Sequence, residues 1–74
     1  MEHPITHLVA LPLCACGCQG VLVAFTVEVD GSITERLLDR DISHDTACAA
    51  LGYLAREQPT INLSEYPVVD RWTA

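Results

Sequence analysis

The clearest pattern in the chain is an alternation of side chains over residues 21–29, which predicts a β-strand. Successive side chains of a strand point to opposite faces, so one face of this run is wholly apolar and consists of Val21, Val23, Phe25, Val27 and Val29. The first half of the other face is apolar as well. The pattern therefore predicts a central strand with one face in the core and the other covered by the chain or by a partner subunit.

A turn follows this strand at Asp30-Gly31-Ser32, so we expect an antiparallel hairpin over about residues 21–38. A loop with an odd number of residues places Ile33 on the same face as Phe25, so that apolar side chains of the two strands lie next to each other. A two-residue loop places polar residues there instead. Because a slip of one residue reverses every side chain, we expect the odd loop, with Gly31 in a left-handed conformation.

An amphipathic helix is predicted over about residues 44–57, with Ser43 as its N-cap and Pro59 as its stop. Its apolar side consists of His44, Ala47, Cys48, Leu51, Leu54 and Ala55. Packing of this helix on the hairpin predicts a core that contains Phe25, Val27, Leu51 and Leu54. Gly52 costs roughly 1 kcal/mol relative to alanine in a helix interior, so we expect a close approach of the helix to the sheet there.

The flanking segments are expected to extend the sheet. Residues 5–11 alternate loosely and predict a strand ended by Pro12, while Ile61 and Leu63 alternate as in a short strand. Residues 66–72 are interpreted as an edge strand or an extended arm. The predicted fold class is α+β: one domain over residues 1–74, with a small antiparallel β-sheet packed on one α-helix.

The composition indicates that this fold needs additional stabilisation. The chain has 74 residues and is 50% hydrophobic, but only four residues are aromatic, so its core consists mostly of small side chains. Chains of this length reach only marginal stability from one apolar core and usually recruit a metal, disulfides or a second subunit. We therefore expect a homodimer.

The net charge of −6, with arginine but no lysine, makes direct binding of nucleic acid unfavourable, because affinity for phosphates depends on cations. No lysine or arginine precedes the apolar residues 8–13, and no apolar run approaches the ~20 residues of a membrane span. We expect a cytoplasmic protein with no membrane contact.

Three cysteines at alternate positions, Cys14, Cys16 and Cys18, precede the central strand. Gly17 and Gly20 are expected to let this stretch curl around an ion, since glycine tolerates positive φ. A disulfide between cysteines two apart is strained. In a reducing compartment, clustered cysteines are more often metal ligands or redox groups than structural disulfides.

His44 and Cys48 lie four apart on the predicted helix and therefore on one face. Thiolate sulfur and imidazole nitrogen are the ligands of tetrahedral zinc sites, so the sequence offers five candidates for Zn²⁺: Cys14, Cys16, Cys18, His44 and Cys48. The spacing C-x-C-x-C differs from the usual C-x₂-C, and it does not select four of the five. Cys48 as a small core residue and His44 as a first-turn polar residue are the competing interpretations.

No catalytic motif is present, so we expect a non-enzymatic protein. The leading hypothesis is a zinc-stabilised interaction module that binds another protein, of a size and composition typical of prokaryotic or phage accessory proteins. One alternative is an acidic inhibitor that imitates nucleic acid with its ten carboxylates. Another is a thiol redox or metal-transfer protein, which requires accessible thiols.

Overall fold

The computed structural model describes residues 3–73, which form one antiparallel sheet and one α-helix. The elements in chain order are β1 (Ile5–Pro12), β2 (Gly20–Val27), β3 (Ile33–Ile42), α1 (His44–Glu57), a 3₁₀ turn (Leu63–Glu65) and β4 (Val68–Trp72). The strands follow the order β1-β2-β3-β4 across the sheet, so each strand pairs with its neighbour in sequence. The α+β architecture expected from the sequence is confirmed.

The β2–β3 hairpin has the register that apolar matching predicts. Val27 pairs with Ile33 and Phe25 pairs with Glu35, which leaves a connection of odd length, residues 28–32. Gly31 adopts a φ of +89°, the left-handed conformation that this turn requires. The hairpin extends further than expected because β3 continues to Ile42.

The helix begins and ends as the sequence predicts. The Ser43 hydroxyl accepts a hydrogen bond from the Thr46 backbone N–H at 3.0 Å, so the helix starts at His44 with a satisfied first turn. Gln58 ends the helix in a left-handed conformation, with φ of +47°. Local sequence signals therefore determine both ends.

The helix packs on the sheet face opposite to the one predicted, so the expected core is partly wrong. We name the covered side the helix face; its buried residues on β2 are Leu22, Ala24 and Thr26. Leu54 lines a cavity together with Leu8, the cross-strand partner of Ala24. Small side chains on β2 and a fully buried Ala47 let the helix approach this side closely. Val27, predicted in the core, points away from the helix and is 37% exposed.

The helix face carries two buried threonines as well as apolar groups. Thr26 and Thr34 pair across β2 and β3, and both are buried. Thr6 and Thr26 share a hydrogen bond between their hydroxyl oxygens at 3.0 Å. A buried hydroxyl with a partner avoids the cost of an unsatisfied polar group.

The opposite side of the sheet, which we name the open face, carries side chains from all four strands. Within residues 3–73 no helix packs on it. Its first row runs directly across the strands and consists of Ile5, Val27, Ile33 and Trp72. The next row consists of His7, Phe25, Glu35 and Asp70. The Phe25 and Trp72 ring centroids lie 6.1 Å apart, in a tilted aromatic contact.

Three further expectations are corrected. Cys48 and Ala55 are exposed although the helical wheel places them on the apolar side, because the helix contacts the sheet along a narrower stripe. A Cβ on Gly52 would meet only the end of the Arg56 side chain, at 3.6 Å, so this glycine makes no close approach to the sheet. The segment around Leu63 is a 3₁₀ turn instead of a strand, while β4 confirms the expectation of an edge strand.

Candidate metal centre

The three clustered cysteines lie in the cysteine loop, residues 13–19, which connects β1 to β2. The Leu13 N–H donates to the Gln19 carbonyl at 2.9 Å and closes the loop at its base. Within the loop, the Gly17 N–H donates to the Cys14 carbonyl at 3.1 Å, and Gly17 has a φ of +75°. The curl expected at Gly17 is therefore present, and it turns the backbone so that alternate side chains converge.

The sulfur atoms of the loop form a triangle. Cys14 Sγ lies 3.0 Å from both Cys16 Sγ and Cys18 Sγ, and Cys16 Sγ donates to Cys18 Sγ at 2.6 Å. Cys14 is half-buried, whereas the other two thiols are exposed. All three ligand atoms lie within 4.8 Å of one another, an arrangement that could hold one metal ion.

Hydrogen bonds within the triangle shift the pKa values of Cys14 and Cys18 in opposite directions. Hydrogen bonds with Cys18, then with Cys16 and with the Gln19 backbone, lower the pKa of Cys14 to about 6. The same contacts with Cys14 and Cys16 raise the pKa of Cys18. The hydrogen bonds of the triangle therefore favour a thiolate at Cys14 over one at Cys18. A metal ligand must be deprotonated, so this prepares one of the three sulfurs.

The triangle is somewhat tighter than a tetrahedral site requires. With a Zn–S distance of about 2.3 Å, the sulfurs of a tetrahedral centre lie about 3.8 Å apart. Each sulfur therefore has to move outward by less than about an ångström, which two exposed cysteines on a short loop can do by side-chain rotation. Three thiolates occupy three positions of such a centre and leave a fourth position for another ligand.

His44 and Cys48, the other two predicted ligands, form a separate pair one turn apart at the start of α1. Cys48 Sγ lies 3.5 Å from His44 Nε2. Neither side chain belongs to the group of ligand atoms that the structure brings together within residues 3–73, which comprises only Cys14, Cys16 and Cys18. The His44 Nδ1 atom is buried and has no hydrogen-bond partner among the described residues.

His44 nevertheless touches the cysteine loop through its backbone. Its N–H donates to the Gly17 carbonyl at 2.9 Å. A Cβ placed on Gly17 would lie 3.8 Å from His44 Cβ, and one placed on Gly20 would lie 3.0 Å from His44 Cα. The start of the helix and the cysteine loop thus form one packed unit.

Comparisons with protein-family models, with curated proteins and with solved structures found no match. Among the helices that the structure describes, none is long and apolar enough to cross a membrane.

Two features of the site were not predicted from the sequence. The Gln19 backbone stabilises the Cys14 thiolate through a hydrogen bond. This contact depends on how the loop closes, and it cannot be predicted from residue types because it involves the backbone. Gly20 lacks positive φ and does not curl the loop as expected; it leaves space for the backbone of His44. A glycine at the first position of a buried strand, Gly20, was the available signal for close approach.

Proposed function

We propose that this protein is a small, non-enzymatic protein-interaction module that zinc stabilises. The observation that supports the zinc site is the convergence of Cys14, Cys16 and Cys18, whose sulfurs lie 2.6–3.0 Å apart. Convergence of three thiols on one short loop favours a shared ion, because each thiolate alone would be solvated and mobile.

Zinc suits the site better than a hard cation does. Thiolate sulfur is a soft ligand that selects Zn²⁺, Cu⁺ or iron–sulfur clusters over Mg²⁺ and Ca²⁺. The fourth ligand in this proposal is the imidazole of His44, a residue whose backbone already packs against the loop. The Nδ1 atom of His44 is buried and has no hydrogen-bond partner among the described residues, so its hydrogen-bonding capacity is unused. Cys48 and a water molecule are the competing fourth ligands.

The role of the metal in this proposal is structural. Within residues 3–73 the largest side chain that is fully buried is Val23, so the core that the chain makes by itself is thin. An ion that joins the β1–β2 loop to the start of α1 would fasten the helix to the sheet. Its binding free energy would add directly to the folding free energy, since no preformed site exists in the unfolded chain.

The interaction role is proposed from the open face. Large apolar side chains there remain in contact with solvent; Ile5 is 58% exposed and Trp72 is 44% exposed. Contiguous apolar surface of this kind usually marks a binding surface for another protein. We propose the cytoplasm as the compartment, because a reducing environment keeps the four cysteines as free thiols.

The second candidate function is metal transfer or thiol redox exchange, and the exposure of Cys16 and Cys18 favours it. Accessible thiols can pass a soft metal to another protein by ligand exchange, and a thiolate at Cys14 can take part in disulfide exchange. The two functions differ in how tightly the metal is held and in whether its loss unfolds the chain.

Native mass spectrometry of the reduced, metal-depleted chain titrated with Zn²⁺ tests the proposal. We expect one zinc per chain, and we expect Cys16→Ser to lose it. Cys48→Ser changes an exposed thiol outside the triangle, and we expect this variant to keep zinc because His44 is the proposed fourth ligand; loss of zinc would assign that position to Cys48 instead. Zinc binding by Cys16→Ser as tight as by the unmodified chain would contradict the site. A folded chain that exchanges zinc rapidly with a competing chelator would favour the transfer function.

A further inference from the structure

The two edge strands of the sheet, β1 and β4, differ in how they are protected. Unpaired backbone groups of an edge can bind another strand, and proteins usually block them with charges, irregular pairing or short strands. β4 is short, pairs irregularly with β3 and contains Asp70 and Arg71. The Asp70 carboxylate also accepts a hydrogen bond from the Arg71 N–H at 2.8 Å. β1 is eight residues long, pairs with β2 in unbroken register and has no ionisable residue except His7, so it is the unprotected edge.

Alternate residues of β1 point their backbone groups away from β2. At the end of the β1–β2 ladder, the Leu13 N–H donates to the Gln19 carbonyl at 2.9 Å, in the register of the strand pair. Bonded and non-bonded pairs alternate in antiparallel sheets, so the odd-numbered residues of β1 bond to β2. The other side of β2 agrees, since the Glu28 N–H donates to the Ser32 carbonyl in the β2–β3 register. The outward N–H groups of β1 therefore belong to Thr6, Leu8 and Ala10.

The sequence of this edge is symmetric about Leu8. Pro4 and Pro12 lie four residues to either side, and neither has an N–H to donate. Antiparallel pairing with Leu8 opposite Leu8 of the partner subunit places Pro4 opposite Pro12 of the partner subunit. Every outward N–H of both chains then meets a carbonyl. Moving the centre by one or two residues places a proline opposite one of these carbonyls, which then lacks a donor, so the edge is complementary to its own copy in one register.

The same register joins exposed apolar side chains. Ile5 and Leu11 lie on the open face of β1 and are 58% and 37% exposed. Ile5 lies opposite Leu11 of the partner subunit, and the pair forms twice because the interface is isologous. These are non-hydrogen-bonded positions, where side chains of antiparallel strands approach most closely. Their removal from water therefore favours association.

The helices add a second contact between the copies. α1 packs on β1 and β2. Neighbouring strands lie about 4.8 Å apart, so a helix centred over these two strands lies about 5 Å from the two-fold axis. The helices of the two copies then lie about 10 Å apart, which is the distance between packed helices. Pairing of the edges thus extends both layers of the fold.

We propose that the β1 edge binds a second copy of this chain, antiparallel and two-fold about Leu8, so that the two sheets join into one continuous sheet. This interface uses an edge of the sheet, so it depends neither on the zinc site nor on the partner proposed for the open face. The open face stays accessible in both copies. The dimer satisfies the unpaired backbone groups of β1, which the sequence leaves without charge or irregular pairing to protect them.

Sedimentation equilibrium of the reduced, zinc-supplied chain tests the edge with two proline variants. Ala10→Pro removes an outward N–H of β1, and Arg71→Pro removes the N–H of β4 that bonds to a side chain. Neither N–H belongs to a ladder within the chain, and proline is tolerated at such edge positions. We expect twice the 8.1 kDa chain mass for the unmodified chain and for Arg71→Pro. We expect Ala10→Pro to dimerise at least about 30-fold more weakly, because each dimer loses two symmetry-related hydrogen bonds.

Far-ultraviolet circular dichroism establishes that both proline variants fold. A monomeric unmodified chain at high micromolar concentration would overturn the proposal. Equal weakening of the dimer by Ala10→Pro and Arg71→Pro would overturn it as well, because only one of the two edges is proposed to pair.

A charge pair tests the register without proline. Ile5→Asp and Leu11→Lys should each weaken the dimer by about tenfold, because each places a charge opposite an apolar side chain. The double variant places opposite charges across the interface and should recover most of the affinity. The two positions lie about 20 Å apart along one strand, so recovery cannot come from within a chain. A double variant no stronger than the singles would overturn the register about Leu8.

Amide hydrogen exchange of the unmodified chain tests the interface without any substitution. The Leu8 N–H should exchange at least about tenfold more slowly, relative to the Val9 N–H, when the chain concentration is raised through the dissociation constant. The Val9 N–H is the internal reference because it lies in the β1–β2 ladder in monomer and dimer alike. A Leu8 exchange rate that does not change with concentration would overturn the proposal.

Discussion

Gly20 and His44 meet backbone to backbone: a Cβ added to Gly20 would lie 3.0 Å from His44 Cα and 3.2 Å from its amide nitrogen. This contact places the first residue of α1 against the first residue of β2. The His44 N–H also donates to the Gly17 carbonyl at 2.9 Å. The position of the helix is therefore coupled to the shape of the cysteine loop.

The first prediction is that Gly20→Ala destabilises the fold while Gly52→Ala stabilises it. The added methyl group at Gly20 meets backbone that cannot rotate away, and overpacking of this kind costs about 1–3 kcal/mol. At Gly52 the methyl group meets only the Arg56 guanidinium at 3.6 Å, so alanine gains about 0.5–1 kcal/mol in helix propensity. Urea unfolding of both variants measures the difference.

Each glycine variant is the control of the other, since both add one methyl group. A loss of stability at Gly52→Ala would mean that the helix lies closer to the sheet than the structure places it. An unchanged unfolding midpoint for Gly20→Ala would contradict the close contact with His44.

The second prediction concerns the cap of the helix. Ser43→Ala should lower the free energy of unfolding by about 1 kcal/mol, because the Thr46 N–H loses its acceptor. Ser43→Asp retains an acceptor and adds a negative charge at the N-terminus of the helix, so it should keep most of the stability. Chemical denaturation of the two variants distinguishes the lost cap from a general effect of substitution. Equal losses in both would contradict the capping role.

The third prediction is that zinc removal and Cys16→Ser have the same consequence. Structural zinc in small folds contributes on the order of 10 kcal/mol at neutral pH, comparable to the whole stability of a domain. A strong chelator should therefore unfold the reduced chain, and Cys16→Ser should be unfolded with or without zinc. Thermal unfolding followed by circular dichroism, with and without chelator, measures both effects.

Cys48→Ala is the matched control for this experiment, because its thiol is exposed and lies outside the three-sulfur group. We expect it to keep zinc and to shift stability by less than about 1 kcal/mol. Identical melting of the unmodified chain with and without chelator, under reducing conditions, would end the structural zinc hypothesis. The cysteine loop would then require a redox role.

The fourth prediction concerns acid stability at the β2–β3 turn. The Ser32 hydroxyl donates to Asp30 Oδ1 at 2.7 Å, the Ser32 N–H donates to it at 2.9 Å, and these bonds lower the pKa of Asp30. A lowered pKa in the folded state means that folding favours the ionised carboxylate. This contribution is present above the unfolded-state pKa of about 3.9 and is lost as the pH falls through the folded-state value.

Ser32→Ala removes the strongest of these donors and should raise the pKa of Asp30 toward its ordinary value. The difference in stability between the unmodified chain and Ser32→Ala should then shrink as the pH falls below about 4. Carbon-detected NMR titration of the carboxyl group measures the pKa directly. A pKa that is the same in both proteins would contradict the role of the hydroxyl.

Several features could be predicted from the sequence because they depend on residues close together in the chain. The helix ends follow from Ser43 and the stop near Pro59, and the hairpin register follows from matching apolar positions around Gly31. Alternate spacing of three cysteines on a glycine-containing stretch predicted their convergence, and the structure brings these three sulfurs together. Each of these rests on local geometry and on side-chain periodicity.

Only the tertiary structure decided which of the two faces of β2 the helix covers. Both faces of this strand begin with apolar side chains, so periodicity gives no preference between them. The helix takes the side where Gly20, Ala24 and Ala47 allow close approach, and it leaves Val27 and Trp72 in contact with solvent. Side-chain volume on two separate elements, β2 and α1, determines this packing, and no single segment of the sequence contains that information.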